Sequence, residues 1–95
     1  MAVVVETMTS AAEVLARAGE FLRRDPVNHN LILTLLDLRV VDGEDGRYWV
    51  VTCDGAPVGV VFQSPVYYPA AVTPMAADAV LAAVDTIVEI GRAHV

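Results

Sequence analysis

Arg47-Tyr48-Trp49-Val50-Val51-Thr52-Cys53-Asp54-Gly55-Ala56-Pro57-Val58-Gly59-Val60-Val61-Phe62-Gln63 is the stretch whose reading decides the fold. Two runs rich in β-branched and aromatic residues, Arg47–Cys53 and Pro57–Gln63, flank Asp54-Gly55. Asp-Gly between such runs is a strong short-range hairpin signal, because both positions tolerate the positive φ of a tight reverse turn. The pattern predicts two antiparallel strands around which the rest of the chain must pack.

Upstream, Ala2–Thr7 is short, β-branched and closed by Thr9-Ser10. It lacks alternation, which predicts a strand covered on both faces and lying beside the first hairpin strand. Ser10-Ala11-Ala12-Glu13 has capping-box spacing. The stripe Ala11, Val14, Leu15, Ala18, Phe21 and Leu22 continues as one face of a helix. Glu13–Arg17 and Glu20–Arg24 are i,i+4 pairs, and Arg23 and Arg24 fall in the last turn, where the helix dipole favours cations. Asp25-Pro26 then ends one helix and opens another, with Asp as cap and Pro at the first helical position. The second helix is expected to run to about Leu38. Its Leu31, Ile32, Leu33, Leu35, Leu36 and Leu38 cover most of the circumference and call for more than one neighbour. Val40–Gly46, with Asp-Gly twice, reads as a loop.

Downstream, Tyr67–Val72 is a weaker strand flanked by Pro65 and Pro69, at an edge or bent. Thr73-Pro74 is expected to cap and open a last helix with the stripe Ala77, Val80, Leu81, Val84, Ile87 and Val88. The expected class is α/β (α+β), in the order β-α-α-β-β-β-α, with a mixed, mainly antiparallel sheet and helices on both faces.

The 95 residues make at most one domain, with a small core. A hydrophobic fraction of 56% excludes a disordered chain. Twelve acids stand against six Arg, with no Lys, for a net charge of −6, so no nucleic-acid partner is expected. The longest apolar stretch, Leu31–Leu38, is interrupted by Thr34 and Asp37 and falls far short of the ~18 residues that span a bilayer. No membrane partner is expected, and no leader is visible, which makes the cytoplasm the default location. Arg without Lys, with abundant Ala and Val, suggests GC-rich coding DNA. Glu89-Ile90-Gly91-Arg92-Ala93-His94-Val95 matches one frame of a common short-read sequencing adapter (GAG ATC GGA AGA GCA CAC GTC). We read 1–88 as native sequence and 89–95 as a tail outside it. The other reading is an ordinary helix end with Gly91 as C-cap.

Few residues carry chemistry. Gly-x-Gly-x-x-Gly, Walker, His-Glu-x-x-His and Gly-x-Ser-x-Gly motifs are all missing. One Cys, Cys53, excludes a disulfide framework, and one His outside the tail excludes a multi-His metal site. His29, in Asn28-His29-Asn30, is an acid/base or substrate contact, or belongs to the polar first turn of a buried helix. Cys53 has no cation beside it in sequence and reads more simply as a small hydrophobe. Tyr67, Tyr68 and Gln63 line a groove or simply pack. Asp42, Glu44 and Asp45 lack EF-hand spacing and read as a solvated loop.

The segment Phe21-Leu22-Arg23-Arg24-Asp25-Pro26-Val27-Asn28-His29-Asn30-Leu31 resembles a stretch of actinobacterial GNAT-family N-acetyltransferases. Tyr48-Trp49-Val50-Val51, Gly59-Val60-Val61-Phe62-Gln63-Ser64-Pro65 and Thr73-Pro74-Met75 resemble strands and a helix start of the same proteins. The likeness spans roughly residues 10–88, and the element order is that of the first part of the GNAT fold. It implies acetyl transfer from acetyl-CoA to an amine in the complete protein, with Gln63, Tyr67, Tyr68 and His29 in the acceptor groove. GNAT enzymes hold the coenzyme A pyrophosphate on a Gln/Arg-x-x-Gly-x-Gly/Ala loop between the fourth strand and the next helix. No Arg or Gln here has Gly three residues on, and Val72-Thr73-Pro74-Met75-Ala76 stands at that junction. The resemblance is therefore to a degenerate N-terminal half. It implies no catalytic residue and no bound cofactor in 1–95, a C-terminal GNAT half as partner, and self-association when that half is missing. The alternative is a stand-alone, non-catalytic α/β binding or dimerisation domain.

Overall fold

A computed structural model of the chain describes residues 2–43, 45–64 and 70–93, the last five by backbone course alone. The elements are β1 (Val3–Met8), α1 (Ala11–Arg23), α2 (Pro26–Asp42), β2 (Arg47–Cys53), β3 (Ala56–Gln63), β4 (Ala71–Val72) and α3 (Ala77–Ala93). The class is α+β, in the order β-α-α-β-β-β-α.

Local chemistry starts and stops most of these elements. Ser10 caps α1 by accepting the Glu13 N–H at 3.2 Å. The Glu13 carboxylate turns to the Thr9 hydroxyl, so the capping box is not closed reciprocally. Asp25 caps α2 through Asn28, and Pro26 fills its first position. Asp54 (φ 52) and Gly55 (φ 86) make the β2–β3 turn with both φ positive, as a primed turn requires. Asp54 also takes the Ala2 N–H on its carboxylate at 2.9 Å and returns its own N–H to the Ala2 carbonyl.

The sheet order is β1-β2-β3-β4, and each of these neighbouring pairs is antiparallel. No pair among the described strands is parallel, so the expected mixed sheet gives way to a wholly antiparallel one. The connection from β1 to β2 explains this. One crossover helix would return the chain parallel to β1, whereas α1 followed by α2 reverses it once more. The register Val51↔Gly59 and Thr52↔Pro57 leaves Val58 as the extra residue of a β-bulge in β3.

The central strands β2 and β3 are buried on both faces. On one face Tyr48, Val50, Val60 and Phe62 meet Val14, Ala18 and Leu22 of α1. On the other, Trp49, Val51 and Val61 meet Ala79 and Ala83 of α3. Burying each such side chain is worth about 1.5–3 kcal/mol, which makes these two seams the main source of stability. α2 packs against α1, contributing Ile32 and Leu36 to the first core.

Two boundaries differ from expectation. α2 passes Leu38 by a full turn, and Gly43 (φ 67) ends it as a left-handed cap whose N–H bonds the Arg39 carbonyl. The first Asp-Gly therefore terminates a helix instead of making a loop turn. Thr73 does not cap α3, which begins at Ala77. Thr73 extends the β3–β4 ladder instead: its N–H bonds the Val60 carbonyl at 3.0 Å, and its hydroxyl accepts the Val60 N–H at 2.9 Å. The i,i+4 pair Glu13–Arg17 is also replaced. Arg17 crosses to Glu6 of β1 with two hydrogen bonds (3.0 and 3.2 Å) and reaches the Gly55 carbonyl, which one helical neighbour could not match. Of β4, expected from Tyr67, residues 65–69 lie outside the described residues.

Candidate functional site at the α1–α2 junction

The reversal from α1 to α2 places a polar cluster against the bulged part of the sheet. Arg24 ends α1 with its N–H on the Glu20 carbonyl, and Asp25 turns the chain with its N–H on the Leu22 carbonyl. Pro26 then starts α2 immediately, so Phe21, Arg24, Asp25, Asn28 and His29 converge. With Val58, the bulge residue, and Pro74 opposite, they line an open cavity of about 290 Å³.

His29 is the buried member, 5% exposed. Its Nδ1 lies 3.1 Å from the Leu22 carbonyl, and its ring centroid lies 5.1 Å from that of Phe21. A carbonyl can only accept, so Nδ1 carries a proton, and Nε2 is the ring atom left to face a ligand. Among the described residues the one buried, unpartnered side-chain nitrogen or oxygen is Trp49 Nε1. His29 Nε2 is therefore not sealed in the core. Asn28 donates its side-chain amide to Asp25 at 2.8 Å. The two hydrogen bonds from Asn28 hold the Asp25 carboxyl below the ordinary carboxylate range, with the nearby His29 a smaller contribution. Asp25 is thus an anion already committed to its cap. The cavity offers a ligand one cation, Arg24, one aromatic face, Phe21, and one imidazole nitrogen.

Of the expected groove residues that the structure describes, His29 lines this cavity and Gln63 does not. Gln63 ends β3 opposite Arg47, five residues beyond Val58 and about 16 Å along the strand, so the two do not share a groove. Tyr67 and Tyr68 lie outside the described residues. Cys53 pairs with Val3 and Ala56 at the far end of β2 and is not in the lining. Arg24, Asp25, Phe21 and Val58 were not legible as site residues, because which part of the sheet faces the α1–α2 turn is a tertiary fact. A signal was nonetheless present: Arg-Arg-Asp-Pro sets charged side chains at a turn directly before a buried helix.

Thr73 spends its N–H on Val60, Pro74 has none, and the Asp78 carboxylate accepts the Ala79 N–H at 2.9 Å in the first turn of α3. The Met75 side chain lies so close over Gly59 that a Cβ there would sit 2.1 Å from its sulfur. Among the described residues no group of three or more His, Cys, Asp and Glu is placed to hold a metal ion, and no helix is long and apolar enough to cross a membrane.

No protein-family model matches the chain, and no curated protein or solved structure matches it either.

Proposed function

We propose that this chain is the N-terminal, acceptor-side part of a GNAT-type N-acetyltransferase, which moves an acetyl group from acetyl-CoA to an amine. The observation that carries the reading is the β-α-α-β-β-β-α order laid out as one antiparallel sheet, β1-β2-β3-β4, with α1 on one face and α3 on the other. In this reading residues 1–88 are scaffold and one wall of the acceptor groove. The cavity at the α1–α2 junction is that wall, and His29 presents Nε2 to a ligand there. The thioester and pyrophosphate are held by a C-terminal half. The engaged Thr73 N–H, Pro74 and the Asp78 carboxylate support that division, since Thr73 and Pro74 have no N–H to give a phosphate and Asp78 sets a negative charge beside it. A cytoplasmic location goes with this reading.

A second reading, a stand-alone dimerisation domain, is favoured by the apolar outer face of α2. Sequencing the natural coding DNA past codon 88 separates the two. An in-frame continuation with a Gln/Arg-x-x-Gly-x-Gly/Ala loop supports the acetyltransferase; a stop codon there contradicts it.

A further inference from the structure

α2 carries two apolar faces, and α1 covers one. His29, Ile32 and Leu36 form the buried face. On the opposite side Val27, Leu31, Thr34, Leu38 and Val41 recur at spacings of four and three, which lines them up along the helix. Val27 is 90% exposed, Leu31 70%, Leu38 51% and Val41 86%. A solvated helix face has no use for four aliphatic side chains in one line, and patches of this kind mark contact surfaces.

We propose that this stripe is a self-association surface, on which two copies of the chain pack α2 against α2, antiparallel, about a two-fold axis near Thr34. The stripe reads Val-Leu-Thr-Leu-Val in either direction. A two-fold interface sets a surface against itself, so a palindrome of residue types meets its own kind with large against large and small against small. The residue at the axis is small, and its polar atom is already satisfied. The Thr34 hydroxyl donates to the Asn30 carbonyl at 2.9 Å, leaving its methyl for close approach.

Charge chooses the direction. At the start of α2 Arg23 and Arg24 outnumber Asp25, and at its end Asp42 and Asp45 outnumber Arg39. Antiparallel packing sets the basic end of one copy against the acidic end of the other; parallel packing sets like against like. Asn30 and Asp37 flank the stripe on the same side, and the antiparallel arrangement brings the Asn30 amide of one copy level with the Asp37 carboxylate of the other. Two such stripes bury on the order of 1,000 Å², at the low end for specific interfaces, so the dimer is reversible.

Sedimentation of residues 1–95 over a concentration series tests the surface. The expected result is a monomer–dimer equilibrium that Leu38→Asp weakens at least tenfold, with the far-UV spectrum unchanged and melting unchanged at concentrations where both proteins are monomers. Leu31→Lys serves in its place if Leu38→Asp melts early. Disulfide trapping in a Cys53→Ala background tests the direction. Across an antiparallel pair the two copies of residue 27 stand about 20 Å apart, far beyond disulfide reach. Val27→Cys and Val41→Cys should each fail to cross-link alone and should cross-link when mixed. A monomer at every concentration, a dimer indifferent to both charge variants, or Val27→Cys cross-linking to itself would each overturn the proposal.

Discussion

His29 donates its Nδ1 proton to the Leu22 carbonyl across 3.1 Å, tying the first turn of α2 to the last turn of α1. The Leu22 carbonyl keeps the Asp25 N–H when that donor is lost. His29→Phe, which retains a ring against Phe21, should therefore cost only about 1–2 kcal/mol. His29→Ala also leaves a cavity and should cost about 2–4 kcal/mol. Urea unfolding of the two variants checks the order. A larger loss for Phe than for Ala would show that the imidazole is not held as described.

Thr73 and Val60 exchange two hydrogen bonds at a position where Thr73 is 2% exposed and Val60 fully buried. Thr73→Val keeps the shape but strands the Val60 N–H, at a cost of about 1–3 kcal/mol. Thr73→Ser keeps the acceptor and should lose less. If Thr73 were instead a helix cap, the variants would show as altered helix content, which circular dichroism would reveal.

The cap of α2 should be sensitive to acid. Hydrogen bonding to Asn28 lowers the Asp25 pKa below its ordinary 3.8, so the folded state favours the carboxylate. The stabilisation is complete above the ordinary value and is lost as pH falls through the lower, folded-state one. Asp25→Asn keeps a capping oxygen that does not titrate. Thermal melts of the two proteins should run in parallel above pH 5 and draw together below pH 4, where the wild type loses its advantage. A constant difference across that window would contradict the assignment.

Trp49 is 2% exposed, and its Nε1 has no partner. Trp49→Phe gives up part of a large buried surface but removes an unmet donor, so it should stay within about 1–2 kcal/mol of the wild type. Trp49→Ala should cost about 3–5 kcal/mol. Calorimetric melting of both variants separates the contribution of the ring's bulk from that of its nitrogen.

Features set by adjacent residues were legible in the sequence. Ser10, Asp25-Pro26 and Asp54-Gly55 each impose a start or a turn through their own backbone chemistry, and each does so in the folded chain. Features set by distant partners were not. The end of α2 was hidden because Arg39-Val40-Val41 contains no breaker and Asp42-Gly43 serves helix ends and turns equally well. Thr73 matches a cap by type, but its partner is Val60, thirteen residues away. Arg17 has an acid four residues off and still bonds Glu6 on β1. In the site, the polarity of His29 stood out in the sequence. Its separation from Gln63 follows from which stretch of β3 meets the α1–α2 turn, a matter of packing that local pattern does not encode.

In the proposed function residues 1–88 provide the scaffold and acceptor wall of an acetyltransferase without its coenzyme site. Calorimetric titration of acetyl-CoA into the chain tests it most directly. The connection from β4 to α3 offers Pro74, an occupied Thr73 N–H and the Asp78 carboxylate where a pyrophosphate would need free amides. The account predicts no saturable heat with acetyl-CoA in large excess; a dissociation constant in the micromolar range would contradict it.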